Sequence, residues 1–125
     1  MAPINLPEIV AEVTQCVERY EDALVNNRID VLDELFLDAP ETVRYGAADA
    51  QYGVEEIRAF RKARPSTGLA RTVVRTAIIT FGRDFAVAHR EFTREGNPKS
   101  GRQSQTWVRT DTGWKVASAH VSQSL

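Results

Sequence analysis

The stretch that decides the fold is RTVVRTAIITFGRDFAVAHREFTREGNPKSGRQSQTWVRTDTGWKVASAHVS, residues 71–122. Its apolar and β-branched residues recur with period two, and short turn-forming clusters interrupt it. Arg71–Phe81 reads as a long strand, Gly82-Arg83-Asp84 as a turn, and Phe85–Arg94 as the next strand. Glu95–Gly101 turns the chain again, Arg102–Thr110 and Trp114–Ser122 are strands, and Asp111-Thr112-Gly113 joins them. Consecutive long strands linked this way form an antiparallel meander.

Upstream the period changes to three-to-four. Ile9, Val13, Cys16/Val17, Tyr20 and Leu24 make one apolar stripe, which predicts a helix from Pro7 to about Leu24, with Asn5 able to cap its start and Asn26-Asn27 suited to its end. Asp30 opens a short helix over Val31–Phe36, with Leu32, Leu35 and Phe36 facing inward. Thr42–Tyr45 is a short strand, Ala47–Gln51 a loop, and Val54–Ala63 a third helix ended by Pro65 and Gly68. Helices grouped before strands indicate a single α+β domain over residues 1–125, with the helices packed across the concave face of a cone-shaped curved antiparallel sheet.

The composition is 42% hydrophobic and 26% charged, with seven Gly and five Pro, which excludes disordered, collagenous and low-complexity classes. No apolar run approaches the ~18 residues of a membrane-spanning helix. No secretory signal is evident, and one cysteine, Cys16, forms no internal disulfide, so the expected location is a reducing cytoplasm. A net charge of −1 gives no reason to expect nucleic acid or an anionic membrane as partner. The charge is segregated all the same. Residues 1–56 hold thirteen Asp/Glu against three Arg, and residues 57–125 hold thirteen Lys/Arg against four Asp/Glu. Halves folded against each other in one small domain should neutralise each other internally.

A helix across the mouth of a curved sheet encloses a hollow, the default place for a ligand. Polar residues on the inward faces are therefore the candidates. Tyr20 lies on the stripe of the first helix, either as a core residue with a bonded hydroxyl or with that hydroxyl reaching a cavity. Arg44, within TVRY, faces solvent, pairs with an acid of the first helix, or points inward. Arg71 and Arg75 share strand parity, so they line one wall together or face solvent together. Gln103 and Gln105 alternate with Trp107, and His120 alternates with Trp114, so all three enter the cone if the tryptophans do. An even-numbered loop around Asp111–Gly113 sets Gln105 opposite His120, whereas a three-residue loop sets Ser104 there. Thirteen Arg against three Lys suits planar carboxylates, which guanidinium grips bidentately. Standard phosphate-loop, dinucleotide, zinc-protease and serine-hydrolase motifs are absent, and two histidines fall short of a usual zinc set, so neither a metal nor a cofactor is expected.

Several segments carry a family resemblance. RYEDALVNNRIDVLDELF (19–36) and TWVRTDTGWKVASAHVS (106–122) resemble the cone-shaped, cystatin-like fold of nuclear transport factor two, ketosteroid isomerase and SnoaL-like proteins. RYE (19–21), VRYG (43–46), IRAFRKAR (57–64), TFGRD (80–84) and GRQSQTWVR (101–109) resemble one branch, the AtzH-like and HpxZ-like proteins that accompany amidases in cyanuric acid and oxalurate breakdown. The resemblance implies a cofactor-free amidase-type hydrolase acting on a small carboxylated urea, as from dicarboxyurea to allophanate. Tyr20 and Arg44 would then be catalytic, and Arg71, Arg75, Gln103, Gln105 and His120 would bind substrate. It also implies a homodimer. The competing reading is a binding or assembly module that accompanies a partner amidase without chemistry of its own. A weaker one is an isomerase or dehydratase, which needs a carboxylate or histidine base in the pocket.

Overall fold

The computed structural model describes residues 2–125. Helix α1 spans Pro7–Val25 and α2 spans Ile29–Leu35; strands β1 (Val43–Tyr45) and β2 (Ala50–Tyr52) follow, then α3 (Val54–Ala63). The rest is β3 (Thr72–Phe81), β4 (Phe85–Thr93), β5 (Gly101–Thr110) and β6 (Gly113–Gln123). The fold is α+β, with the N-terminal helices against one six-stranded curved sheet of order β2-β1-β6-β5-β4-β3. Only β1 and β6 run parallel; the other neighbours are antiparallel. Among the described residues, no helix is long and apolar enough to cross a membrane.

The stripe of α1 forms as the period predicts. Ile9, Val13, Val17, Tyr20 and Leu24 are buried, packed with Ala86, Ala88, Trp107, Trp114, Val116 and Ala119 of the sheet. Leu32, Leu35 and Phe36 also face inward. Two local expectations fail. Asn5 does not cap α1; it adopts φ 58° and pairs with the sheet edge, where its Oδ1 accepts from the Thr80 backbone N–H (2.8 Å). The expected loop at 47–51 runs into β2, a strand of three residues, too short to show a period.

Charge segregation becomes contact between α1 and the sheet. Glu8 pairs with Arg83 (3.1 Å), Glu12 with Arg109 (2.8 Å), Glu18 with Arg90, and Glu21 with Arg71 (2.7 Å). Glu12 also accepts from the Trp114 indole N–H (3.0 Å), which holds its carboxyl below the usual carboxylate range.

Two β-bulges set which side chains reach the concave face. In β3 the register slips between Val73 and Arg75, leaving Val74 unpaired. Val73 opposes inward Phe92, while Arg75 opposes Glu91 on the outer face. In β6 the register slips between Val116 and Ser118, so Ala117 is the extra residue. Trp114 and Val116 point inward, and beyond the bulge it is Ala119 and Val121 that do so; His120 turns outward. The β5–β6 turn is Asp111-Thr112 between paired Thr110 and Gly113. The Ser104–His120 pairing therefore arises from a two-residue turn plus a bulge, not from a three-residue loop.

Gly101 opens β5 directly opposite Phe92. A Cβ there would lie 2.2 Å from Cε2 and Cζ of the Phe92 ring, so only glycine lets that ring lie flat over β5. Gly101→Ala should cost about 1–3 kcal/mol by overpacking, read as a lower urea midpoint with an unchanged m-value. An unchanged midpoint would show that the ring has another place to go.

Candidate active site

Between α1, α3 and the inner face of the sheet lies a hollow of about 70 Å³, lined by Tyr20, Leu24, Arg44, Phe60, Arg61, Arg64, Leu69, Arg71, Arg94, Gln103 and Val121. That is well below the ~300 Å³ where sites for drug-sized ligands begin, so it suits a compound of few atoms. Five of the lining side chains are arginines and none is a carboxylate. Larger depressions elsewhere are open, shallow surface.

Tyr20 is 7% exposed. Its ring meets Phe36 (centroids 6.1 Å) and the edge of Trp107 (6.5 Å), which fixes the phenol. Its hydroxyl makes no hydrogen bond to another described residue, so it is a free polar group on the cavity wall. Arg44 comes from β1, clamped between β2 and β6. Its guanidinium stacks on Phe60 (4.7 Å), and Nη1 donates to Asp49 Oδ1 and to Gln51 Oε1, both at 2.8 Å. Nε and Nη2 make no hydrogen bond to another described residue, so one edge of the fork stays free for a planar acceptor. Gly46 makes this possible: a Cβ there would sit 2.5 Å from Asp49 Oδ1, in the space the carboxylate uses to reach Arg44.

Arg71 is more fully committed. Nε and Nη2 donate to the two carboxylate oxygens of Glu21 (2.8 and 2.7 Å), Nη2 also donates to Gln103 Oε1 (3.0 Å), and the group stacks on Phe92 (4.2 Å). Because Gln103 Oε1 accepts from Arg71, its amide N–H₂ is the group left to donate. Arg90 also reaches Glu21 (3.4 Å). Burial would push the Glu21 carboxyl up; the Arg71 hydrogen bonds and the charges of Arg71 and Arg90 outweigh it, and the carboxyl is held low. Arg61 pairs with Asp33 (2.5 Å) and stacks on Phe36.

Arg64 and Arg94 differ from the others. Neither makes a side-chain hydrogen bond or ion pair with a described residue, and Nε and Nη2 of Arg64 and Nε of Arg94 are buried without a partner. Burial is the main cause that pushes both guanidiniums below their ordinary range. Like charges add to it: Arg61, Arg44 and Arg94 for Arg64, and Arg71 for Arg94.

The structure thus gathers Tyr20, Arg44, Arg71 and Gln103 at one hollow. Gln105 points inward but is sealed in the core at 1% exposure, where Oε1 accepts from Trp107 Nε1 (3.2 Å). Arg75 and His120 do not belong to the site; the two bulges turn them to the outer face. Arg61, Arg64 and Arg94 were not expected there. A signal for the first two exists: Ile57, Arg61 and Arg64 follow the helical stripe of α3, so its inward face ends in guanidiniums. Among the described residues, no group of three or more His, Cys, Asp or Glu side chains is arranged to hold a metal ion.

Glu21→Gln should cost about 3–5 kcal/mol, since it strips a buried pair of its anion and leaves Arg71 uncompensated. Its carboxyl is held low in the folded state, so its contribution is fully present above the unfolded carboxylate pKa and is lost as pH falls through the lower folded value. Urea titrations at a series of pH values should show wild type losing stability on the acid side and the variant losing less. Parallel curves would refute the assignment.

The AtzH-like family profile matches residues 2–124. Among solved structures, a protein of unknown function from Pectobacterium atrosepticum is 53% identical (98% of this chain, 95% of that one; TM-score 0.96). A cystatin-like fold protein from Burkholderia xenovorans is 46% identical (98% and 97%; TM-score 0.94). A nuclear transport factor 2-like superfamily protein from Salmonella enterica, 23% identical (94% and 92%; TM-score 0.75), shares the fold. No curated protein matches the chain. With the profile spanning nearly every residue, the chain belongs to the AtzH-like family, within the cystatin-like, nuclear transport factor 2-like fold.

Proposed function

We propose that the protein is a cofactor-free amidase-type hydrolase acting on a small carboxylated urea, in the manner of dicarboxyurea to allophanate or on an oxalurate-related compound. The observation that carries this reading is the meeting of Tyr20 and Arg44 on one enclosed hollow that has guanidinium and amide groups but no carboxylate in its lining. Such a lining attracts a planar anion and offers a urea core both donors and acceptors. In the reaction, water adds to a carboxyl carbon bonded to a urea nitrogen and the C–N bond breaks. The nitrogen takes one proton, and the carboxyl group leaves as bicarbonate. The free edge of Arg44 holds the urea carbonyl oxygen, onto which negative charge spreads from nitrogen as the C–N bond breaks, and its bonds to Asp49 and Gln51 fix it in place beforehand. The Tyr20 hydroxyl donates or relays the proton to nitrogen. No strong nucleophile lines the hollow, which favours direct attack by water over a covalent intermediate.

A second reading, a binding or assembly module beside a partner amidase, is favoured by the same absence of a carboxylate or histidine base. The hydrolase reading includes a homodimer working in the cytoplasm alongside a separate amidase. Exposed Val74, Phe81 and Phe85 on the long strands support self-association.

The test is turnover of dicarboxyurea-type and oxalurate-type compounds, with carbon dioxide and ammonia followed together. Wild type should turn over, and Tyr20→Phe and Arg44→Ala should each lose about 10²-fold or more in kcat/KM. Binding without turnover would favour the second reading. Turnover by both variants at the wild-type rate would refute the assigned residues.

A further inference from the structure

Five guanidiniums line the hollow, and the carboxylates around it answer only three of them. Arg44 has Asp49, Arg61 has Asp33, and Arg71 has Glu21. Glu21 is shared with Arg90, and Glu18 lies on Arg90, so neither is free for another cation. Arg64 and Arg94 are left with no carboxylate among the described residues and with three buried N–H-bearing nitrogens that have no hydrogen-bond acceptor there; Arg94 also lies over the Phe92 ring (5.0 Å). They come from different elements, the C-cap of α3 and the residue just after β4, and both line the cavity. A half-buried cation without a carboxylate partner is costly, and two within one small hollow are more so because they repel. A structure that keeps both is built for an occupant that neutralises both.

We propose that Arg64 and Arg94 are the specificity-determining residues of this site, each taking one carboxylate of a doubly charged ligand, so that a dianion is selected over the monoanion that lacks one of its carboxylates. The inference rests on the reading of the hollow as a site for a small carboxylated urea. A monoanion leaves one guanidinium unanswered; a dianion answers both, and each carboxylate is a planar acceptor matched to a guanidinium fork. The neutral middle of the ligand then lies with Tyr20, Gln103 and the free edge of Arg44, which leaves these groups for orientation and chemistry.

The test separates binding from turnover. Glutarate carries two carboxylates on a spine of five carbons, matching the five-atom spine of dicarboxyurea, and has no C–N bond to cleave. Butyrate lacks one carboxylate. By calorimetry, wild type should bind glutarate at least tenfold tighter than butyrate. Arg64→Gln and Arg94→Gln should each lose tenfold or more for glutarate and bring the two affinities close together, with Arg64→Lys and Arg94→Lys in between. Without ligand, both Gln variants should melt no lower than wild type, because each removes a half-buried charge that no carboxylate answers. Equal binding of glutarate and butyrate by wild type would overturn the proposal. So would Gln variants that keep the wild-type ratio, including folded variants whose melting temperature has dropped. If wild type selects glutarate but turns over no carboxylated urea, the hydrolase reading fails while this one stands.

Discussion

The carboxylates of α1 against the arginines of the sheet are the constraint on which the rest depends. Four acids spaced along one helix meet four arginines spread over β4, β5 and the segments flanking β3. The apolar stripe drives α1 onto the sheet, but apolar contact is non-directional and leaves the helix free to slide or rotate. Ion pairs with hydrogen-bond geometry do not. Glu21, gripped through both oxygens by Arg71, fixes the rotation one residue past Tyr20, and so fixes where the phenol points. Exposed pairs such as Glu8–Arg83 add little stability by themselves. The buried Glu21–Arg71 pair, with Arg71 only 2% exposed in its side chain, is the one whose loss would be felt.

The same pairing explains what the hollow contains. It draws the acids of the first half of the chain onto particular arginines of the second, and the match is not complete. The arginines at the C-terminal end of α3 and just after β4 lie beyond its reach. Uniform neutralisation would have left a polar but balanced core; incomplete pairing leaves a local positive excess in a half-buried hollow. There, electrostatic attraction for an anion is stronger than at any exposed patch of similar charge.

Much of this was legible in the sequence, and the failures have one origin. Period-based reading places Tyr20 on the buried stripe and Gln103 on the tryptophan face correctly, because α1 and β5 run unbroken over those residues. It fails at Arg75 and His120 because strand parity survives only while the ladder is continuous. One extra residue at Val74 and another at Ala117 reverse the face of everything beyond. Neither bulge is marked by Gly or Pro, so no local chemistry betrays it. Arg44 points inward and is also paired, but with Asp49 of the following turn and not with an acid of the first helix: Asp49 holds one nitrogen while the opposite edge of the fork stays open. That arrangement needs Gly46, four residues of turn and a three-residue strand, none of which carries a period. Arg64 and Arg94 escaped notice for a different reason. Their role follows from having no partner, and lack of a partner is a property of the packed structure.

An excess of positive charge stabilises a bound anion, but binding substrate and transition state equally well does not accelerate chemistry. What the hollow has to offer catalysis must be a difference between its groups. On the proposed reading, Arg64 and Arg94 would meet charges that the substrate already carries, so their contribution would be nearly the same before and during reaction. Arg44 and Tyr20 stand by the neutral middle of such a ligand. An interaction with the oxygen there, or with the nitrogen that departs, is weak in the ground state and strengthens as negative charge develops. Rigidity then matters more than charge. Arg44 is held by Asp49, Gln51 and the face of Phe60, and Tyr20 by Phe36 and Trp107, so neither group has to reorganise when the charge appears. On that reading the division of labour is spatial: unpaired guanidiniums for what the substrate would bring, and an immobilised guanidinium and phenol for what the reaction would create.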